Sequence, residues 1–303
     1  MGLTFRNVKR WIRMFCGKSI YHVNQDLGKH FVPGELKGFF NNLTEKVLKD
    51  DKTVLQKGGL PLLEIGEGKN VVFPVAVFQY GLGCYDLYLN SSKAVFRDKF
   101  LELSDWALDH QDENGGWNCF WYVYPDHPYG AMCQGEAASL LARAFKETGD
   151  TKYLTAAEKG LEFVLNRDIG ATLFLQNDDD LVLLEYEDQP AVLNGWIFAA
   201  FGFYDVWLAT KEEEYNEVFK RTIATLEKYL PQFDNSYWSM YDLGGRIASP
   251  FYHDLHIAQM QALAMIFENR SFRSFQKKFE RYRKNPFKKL KALIVKANQK
   301  IKE

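Results

Sequence analysis

The stretch QGEAASLLARAFKETGDTKYLTAAEKGLEFVL, residues 134–165, decides the fold. Its first half, Gln134–Thr148, carries small and apolar residues on nearly all sides, which is typical of a helix buried in a core. Gly149 and Asp150 then form a polar turn. In the second half, Thr151–Leu165, apolar residues recur at helical spacing on one face, and lysines and glutamates occupy the other. The stretch therefore predicts a helical hairpin with one buried helix and one amphipathic helix.

The same hairpin pattern recurs along most of the chain. The matched positions Gln79, Gln134, Asn194 and His256 are separated by 55, 60 and 62 residues, and a two-helix unit repeated at a near-constant period is typical of a helical array. The predicted hairpins are Val75–Leu89 with Ala94–His110, Gln134–Thr148 with Thr151–Leu165, Asn194–Ala209 with Glu213–Leu230, and His256–Asn269 with Ser271–Lys284. We expect a mainly α fold, an incomplete (α/α) toroid whose first helices lie inside and whose second helices lie outside.

Three long connections return the chain from an outer helix to the next inner helix. They cover residues 111–133, 166–193 and 231–255, and they hold most of the irregular, aromatic and charged sequence. In an array built this way all three must lie at the same end, and loops held by rigid helices are common places for sites. We therefore predict the functional site at that end.

The length and composition of the chain limit its possible domain organisation. With 303 residues, 47% of them hydrophobic and 16% aromatic, the chain can bury a sizeable core. We expect an N-terminal segment of a short helix and extended pieces (1–72), the toroid (73–284) and a basic tail (285–303). The four cysteines, Cys16, Cys84, Cys119 and Cys133, have no metal-ligand spacing, which predicts buried free thiols and no metal site. Without an apolar run of membrane-spanning length or a signal peptide, we expect a cytoplasmic location, including the inner membrane face.

Charge is distributed unevenly. Residues 269–303 carry thirteen lysines and arginines against two glutamates, a local balance of +11, whereas the whole chain has a net charge of −1. Residues 1–16 are also basic and have the pattern of an amphipathic surface helix. This asymmetry predicts an anionic partner, either a polyanion or a lipid surface contacted through the basic termini. No groove-reading motif accompanies the charge, so we expect no nucleic-acid partner.

The stretch 236–259 has the strongest chemical signal. It holds Tyr241, Arg246, Tyr252, His253 and His256 around a Gly-Gly pair and a proline, with little hydrophobic periodicity. The second connection has an apolar run, predicted as a short strand, that leads into Glu185-Tyr186. In the first connection, Tyr129 is a groove-lining residue, and the Gln…Gly…Trp loop that ends at Trp117 indicates architecture more than activity. A phosphate-binding loop, a Cys-His zinc set and a Gly-x-Ser-x-Gly elbow are all missing from the sequence.

Taken together and in order, several short motifs resemble the D-glucuronyl C5-epimerases of heparan sulfate and heparosan. The motifs are Phe73–Leu82, Trp106 with Asn114–Trp117, Ala131–Gly135, Glu185-Tyr186, Leu193–Gly195, Gly202–Asp205, Tyr241–Leu243, and Tyr252-His253 with His256-Ile257. The resemblance covers about two-thirds of the chain. It implies an (α/α) toroid that inverts C5 of glucuronate within an anionic polysaccharide to give iduronate, without a redox cofactor. Family members are often dimers, so the resemblance also admits a homodimer.

The resemblance maps a carboxylate and three tyrosines of the family site onto Glu185, Tyr186, Tyr241 and Tyr252. An arginine that follows the matched tyrosine in the family falls on Gly244 here, and Arg246 is the nearest arginine. The large β-rich insertion of animal members is missing after the Gln-Tyr-Gly helix, as in a compact bacterial-type member.

Inversion at C5 needs a proton carrier on each face of the sugar. Our hypothesis gives one face to Glu185 and the other to Tyr252, while Tyr186, Tyr241 and Arg246 hold the carboxylate. His253 and His256 are cations that would lower the pKa of Tyr252, or else they cap the next helix. The remaining substrate-binding residues that we predict are His253, Tyr129, Tyr80, Gln134, Asn194 and Trp117. Two alternatives remain: a uronate lyase acting by β-elimination, which shares the first step, and a non-catalytic protein that binds acidic glycans.

Overall fold

Helical hairpins make up most of the described chain. The structure is a computed structural model that describes residues 24–50, 53–66, 69–169, 171–268 and 270–302. In chain order its main elements are α1 (Thr44–Leu48), β1 (Leu62–Gly66), β2 (Lys69–Val72), α2 (Pro74–Ser91), α3 (Ala94–Asp109), α4 (Ala131–Thr148), α5 (Thr151–Leu165), β3 (Phe174–Asn177), β4 (Asp180–Leu183), α6 (Leu193–Thr210), α7 (Glu213–Tyr229), α8 (Pro250–Ile266), α9 (Arg270–Lys284) and α10 (Pro286–Lys302). The strands form two separate antiparallel hairpins, β1 with β2 and β3 with β4.

The four predicted hairpins form an incomplete (α/α) toroid, as expected. Helices α2, α4, α6 and α8 form the inner layer, and their side chains are mostly buried. Helices α3, α5, α7 and α9 are amphipathic and pack outside them. Small residues in the inner helices let the backbones lie close together, so the aromatic and aliphatic side chains fill one continuous core.

The last inner helix begins earlier than the sequence pattern indicates. We predicted its start at His256, which is wrong, because α8 begins at Pro250. The Ser249 hydroxyl accepts a hydrogen bond from the Tyr252 backbone N–H at 3.4 Å, and proline is favoured in the first turn, where its missing N–H costs nothing. Tyr252 therefore lies on the first turn of a helix, and not on a loop.

The N-terminal segment packs on the C-terminal ends of the inner helices. The Arg143 guanidinium forms an ion pair with Asp205 (2.7 Å) and donates hydrogen bonds to the carbonyls of Lys37 (3.0 Å) and Gly38 (3.1 Å). Phe40 stacks on Phe201 with ring centroids 3.6 Å apart. These contacts close the end of the toroid opposite the long connections. The predicted amphipathic helix of residues 1–16 lies outside the described residues.

The basic tail predicted for residues 285–303 is helical over most of its length. Helix α10 packs against the last long connection: Gln299 accepts a hydrogen bond from the Ile247 N–H (3.0 Å) and donates one to the Gly245 carbonyl (2.9 Å), and Lys296 donates to the Ile247 carbonyl (2.8 Å). It thus supports the connection that carries Tyr241. In the part of the chain that the structure describes, no helix combines the length and apolar character needed to cross a membrane.

Three of the four cysteines are free and buried, as predicted, namely Cys84, Cys119 and Cys133. Cys16 lies outside the described residues. Burial raises the pKa of the Cys133 thiol well above its ordinary value, which keeps it protonated. These cysteines fill space in the core.

Candidate active site

The long connections meet at the N-terminal ends of the inner helices. The first N–H of α4, at Ala131, donates to the carbonyl of Leu184 (2.8 Å), and the first N–H of α6, at Leu193, donates to the carbonyl of Tyr241 (3.0 Å). The second connection is thus bonded to the start of α4, and the third connection is bonded to the start of α6. Because helix N-termini carry partial positive charge, this end of the toroid favours negative groups.

Glu185 directly follows the carbonyl that is bound to the start of α4. Its side chain is only 6% exposed and lies against the backbone of Gly195 in the first turn of α6. A Cβ atom at position 195 would lie 2.2 Å from Glu185 Oε2, so only glycine leaves room for the carboxyl group. Among the described residues, Oε2 has no hydrogen-bond partner.

The surroundings of Glu185 bring its pKa close to neutrality. Burial raises the pKa of this carboxyl group from 4.5 to about 7, although a hydrogen bond from Tyr186 and the positive charge of Arg246 oppose the rise. Near neutral pH the group is therefore present both as an acid and as a base. A carboxyl group in this state is suited to accepting and returning a proton.

Three half-buried tyrosines, Tyr186, Tyr241 and Tyr252, form a cluster with this carboxyl group, in which Tyr186 and Tyr241 are near Glu185 and Tyr252 is near both phenols. The rings of Tyr241 and Tyr252 lie 5.0 Å apart between centroids, and Tyr186 packs on Phe120 at 4.6 Å. Burial raises the pKa of Tyr186 and of Tyr241 well above the ordinary value, and the nearby charge of Glu185 raises both further. Both phenols therefore keep their protons at neutral pH and are hydrogen-bond donors.

Arg246 contributes positive charge to the cluster. It lies on a tight turn in which the Tyr241 N–H donates to the Arg246 carbonyl at 2.7 Å, and its guanidinium lies 5.4 Å from the centre of the Tyr241 ring. The guanidinium also forms an ion pair with the buried Asp242 and remains 38% exposed. A fixed, partly exposed cation beside three phenols is suited to holding a carboxylate.

Comparison with known proteins identifies the family of this chain. A family model described as the D-glucuronyl C5-epimerase C-terminus matches residues 111–281, which is more than half of the chain. This chain belongs to that family. The match includes all three long connections and therefore the whole Glu185 cluster.

Two curated relatives match over a part of their own length. The D-glucuronyl C5-epimerase of Caenorhabditis elegans is 26% identical over 253 residues, which cover 72% of this chain and 38% of that protein. An uncharacterized protein of Methanocaldococcus jannaschii, MJ1128, is 31% identical over 137 residues, covering 43% of this chain and 44% of that protein. The chain thus spans less than half the length of these relatives. Among solved structures, the Lin0763 protein of Listeria innocua has a TM-score of 0.56 at 12% identity, covering 86% of this chain and 78% of that one, and this likeness concerns the fold alone.

In this member of the C5-epimerase family, Gly244 occupies the position at which the family resemblance predicts an arginine. A Cβ atom there would lie 2.8 Å from Pro190 Cγ, so a side chain at 244 requires the connection to shift. Arg246, two residues later, brings a guanidinium to the same cluster from the other side of the turn. The sequence had left this assignment between the two positions, and the contact with Tyr241 favours Arg246.

Two of the predicted substrate-binding residues are buried where they connect parts of the scaffold. Trp117 has no exposed surface, and its indole N–H donates to the Ala107 carbonyl at 2.8 Å. Gln134, also fully buried, accepts from the Trp117 N–H (2.8 Å) and donates to the Trp117 carbonyl (3.1 Å). These bonds fix the first connection to α4, and they account for both residues without contact with a substrate.

The two histidines of the last connection are also buried. His253 stacks on Trp238 with ring centroids 3.7 Å apart, and its Nε2 lies 3.0 Å from the Phe279 carbonyl. Burial lowers the pKa of His253 to about 3 and that of His256 well below its usual value. Both rings are therefore neutral at pH 7. The hypothesis that they provide a cation beside Tyr252 is not supported. Two other cations lie near the centre of the Tyr241 ring, the Arg246 guanidinium at 5.4 Å and the Lys296 ammonium at 5.8 Å.

The remaining predicted residues have contacts of their own in the scaffold. The Tyr129 hydroxyl donates to Asp112 at 2.9 Å and is half-buried in the first connection. Asn194 is buried at the start of α6, where its carbonyl accepts from Gln259 at 3.2 Å. Tyr80 is buried in α2, and burial raises the pKa of its phenol far above the ordinary value.

Sequence analysis missed the buried carboxyl group of Glu136 in α4. It accepts a hydrogen bond from Gln79 at 2.7 Å, and burial raises its pKa to about 8, with the charge of Glu185 adding to the rise while Gln79 and Lys46 oppose it. The available signal was an acidic residue set among the small residues Gly135, Ala137 and Ala138 in the first half of an inner helix. Glu136 shows that the polar interior continues beneath Glu185.

We predict that Gly195→Ala lowers the free energy of unfolding by about 1–3 kcal/mol, because the added methyl group overlaps the Glu185 carboxyl group. Urea denaturation of four proteins measures this: wild type, Gly195→Ala, Glu185→Gly and the double variant. The cost of Gly195→Ala should be smaller by about 1 kcal/mol or more in the Glu185→Gly background, which removes both the carboxyl group and the Cβ atom that the methyl group would overlap. Equal costs in both backgrounds would contradict the proposed contact.

Proposed function

We propose that this protein inverts C5 of D-glucuronate residues within a polysaccharide, giving L-iduronate. The observation that carries the proposal is the position of the Glu185 carboxyl group, which is buried against Gly195 beside Tyr186 and near Arg246, and whose pKa burial raises to about 7. Membership of the C5-epimerase family supports it. The C. elegans relative is named as an epimerase of this kind.

The chemistry explains why these residue types are needed. C5 of a uronate lies next to a carboxylate, so removing its proton builds negative charge on the carboxylate oxygens. Positioned donors and cations stabilise that charge. Arg246, Tyr241 and Tyr186 are the groups of this kind in the cluster, and the N-termini of α4 and α6 add partial positive charge.

Inversion also needs a proton carrier on each face of the sugar. We assign Glu185 to one face because its carboxyl group exchanges a proton near pH 7. We assign Tyr252 to the other face because its ring, on the first turn of α8, packs on Tyr241. The bond changes are balanced. One group removes the C5 proton, and the electron pair of the broken C–H bond is delocalised onto the substrate carboxylate. The other group then returns a proton to C5 from the opposite side.

For the substrate, we propose a heparosan-like polymer in which glucuronate alternates with an N-acylated hexosamine. The proposal includes cofactor independence, since the residues assigned above complete the proton transfers without a redox step. The cluster in itself also suits a uronate lyase, which shares proton removal at C5 and then expels the substituent at C4.

Incubation with heparosan in heavy water tests this function. We expect deuterium at C5 of newly formed iduronate, with the polymer length unchanged. Glu185→Gln and Tyr252→Phe should each lower the rate of deuterium incorporation by about 10²–10⁴-fold, since each removes one proton carrier.

The matched controls are Glu158→Gln on α5 and Tyr237→Phe in the same connection as Tyr241, and neither should change the rate by more than about twofold. Shortened chains that absorb in the ultraviolet would show elimination and identify a lyase. Binding of the polymer without any deuterium exchange by the wild type would identify a glycan-binding protein.

A further inference from the structure

Helix α10 packs along the last long connection, which carries Tyr241. In the first turn of the helix, the Lys288 ammonium group donates a hydrogen bond to the Ser236 carbonyl at 2.9 Å. In its second half, Lys296 and Gln299 make the backbone contacts described above with the turn that follows Tyr241. The helix therefore holds the connection at two places, one before Tyr241 and one after it.

The residues of α10 that face the connection lie on one side of the helix. At 100° per residue, Lys288, Ala292, Val295, Lys296 and Gln299 fall within an arc of about 100°. Ala292 is buried and Val295 packs against the core, so this side of the helix is the packed one. Within the arc, Lys296 is the residue whose side chain reaches the candidate site.

Lys296 brings an ammonium group to Tyr241. Its Nζ donates a hydrogen bond to the Ile247 carbonyl at 2.8 Å and lies 5.8 Å from the centre of the Tyr241 ring. An ammonium group within about 6 Å of an aromatic ring is attracted to that ring. The side chain of Lys296 is half-buried. These contacts place a positive charge beside the phenol to which the proposed function assigns the substrate carboxylate.

The Tyr241 ring thus has a cation from each of two parts of the chain. The Arg246 guanidinium, 5.4 Å from the ring centre, comes from the connection itself, and the Lys296 ammonium comes from α10. Arg246 also forms an ion pair with the buried Asp242, which offsets part of its positive charge. Lys296 adds positive charge at the same ring.

The negative groups of the cluster explain the use of a second cation. Glu185 exchanges a proton near pH 7, and the nearby charge of Asp242 already raises its pKa. A bound uronate brings one more carboxylate to the same place. Like charges at close range disfavour one another, and cations beside them reduce that cost. Two cations are therefore better matched to a carboxylate ligand here than Arg246 alone.

We propose that Lys296 is a further substrate-binding residue, which together with Arg246 holds the uronate carboxylate beside Tyr241. Lys296 lies beyond residues 111–281, the part of the chain that the C5-epimerase family model matches, so its assignment comes from the geometry of this chain. The inference rests on the proposed function and deepens it, because it adds α10 to the elements that form the site.

Binding of a heparosan oligosaccharide tests the role of Lys296 without requiring catalysis. The oligosaccharide is titrated calorimetrically into the wild type, Lys296→Met and Lys296→Arg. Lys296→Met keeps the length of the apolar stem and removes the charge, and we expect it to weaken binding by about tenfold or more. Lys296→Arg restores the charge and should bind within about threefold of the wild type.

Lys291→Met is the matched control. Lys291 lies on the same helix, and its Nζ is 4.1 Å from the centre of the Tyr237 ring, so the variant removes the same charge from a similar aromatic contact outside the proposed site. We expect it to bind within about twofold of the wild type. Circular dichroism and urea denaturation check that each variant retains α10 and its stability.

The rate of deuterium incorporation at C5 gives a second readout. At substrate concentrations well below KM, Lys296→Met should lower this rate by about tenfold or more, in parallel with its weaker binding, and Lys296→Arg should recover it. The same measurement on Lys291→Met should stay within about twofold of the wild type.

Equal binding by the wild type and Lys296→Met would overturn the inference, and so would failure of the oligosaccharide to bind to the wild type. Equal weakening by Lys291→Met and Lys296→Met would also overturn it, because it would indicate general attraction of a polyanion to α10. A loss that Lys296→Arg does not restore would assign Lys296 to support of the connection instead. Binding that depends on Lys296 in a protein without deuterium exchange would uphold the carboxylate site and contradict the epimerase function, so the two failures are distinguishable.

Discussion

The packing of the Glu185 carboxyl group on the Gly195 backbone is the constraint on which the site depends. The contact requires α6 to begin without a side chain at that position and β4 to end so that Leu184 reaches the start of α4. Two inner helices are thereby joined through one carboxyl-bearing segment. The same contact removes the carboxyl group from water, and this burial is the largest cause of its raised pKa. The scaffold and the chemistry of the site therefore depend on the same contact.

The two ends of the toroid have different electrostatics because all inner helices run in the same direction. Near the C-terminal ends, Arg143 forms an ion pair with Asp205, and the N-terminal segment covers the pair. At the N-terminal ends, the helix starts and Arg246 favour anions. An array of parallel inner helices therefore has one closed end and one polar, open end. The long connections lie at the open end.

Much of this organisation was predictable from the sequence. The hairpin period, the inner and outer layers and the position of the long connections follow from patterns of small, apolar and charged residues, which depend on local physics. Glu185 was predictable because a short apolar run precedes it, and that run is β4. The start of α8 was missed because the aromatic and polar residues of 250–256 obscure a helical period, although Ser249-Pro250 is a helix-start signal.

Other features depend on contacts that no local pattern contains. The neutrality of His253 follows from its burial under Trp238, which lies fifteen residues earlier in the chain. The scaffold role of Gln134 follows from a bond to Trp117 in the preceding connection. In α10 the apolar residues already recur at helical spacing in the sequence, among many lysines. Which of these residues are exposed depends on the side of the helix that packs against the last connection.

The titration of the Glu185 carboxyl group is the measurement that tests this account most directly. Infrared difference spectra between wild type and Glu185→Gln, recorded across pH, isolate the carboxyl band of this one residue from those of Glu136 and the other buried acids. The account predicts a midpoint near pH 7, as burial against Gly195 requires. A midpoint close to that of a solvated glutamate, about 4.3, would contradict it, because the carboxyl group would then be an ordinary surface charge and not the proton carrier of the site.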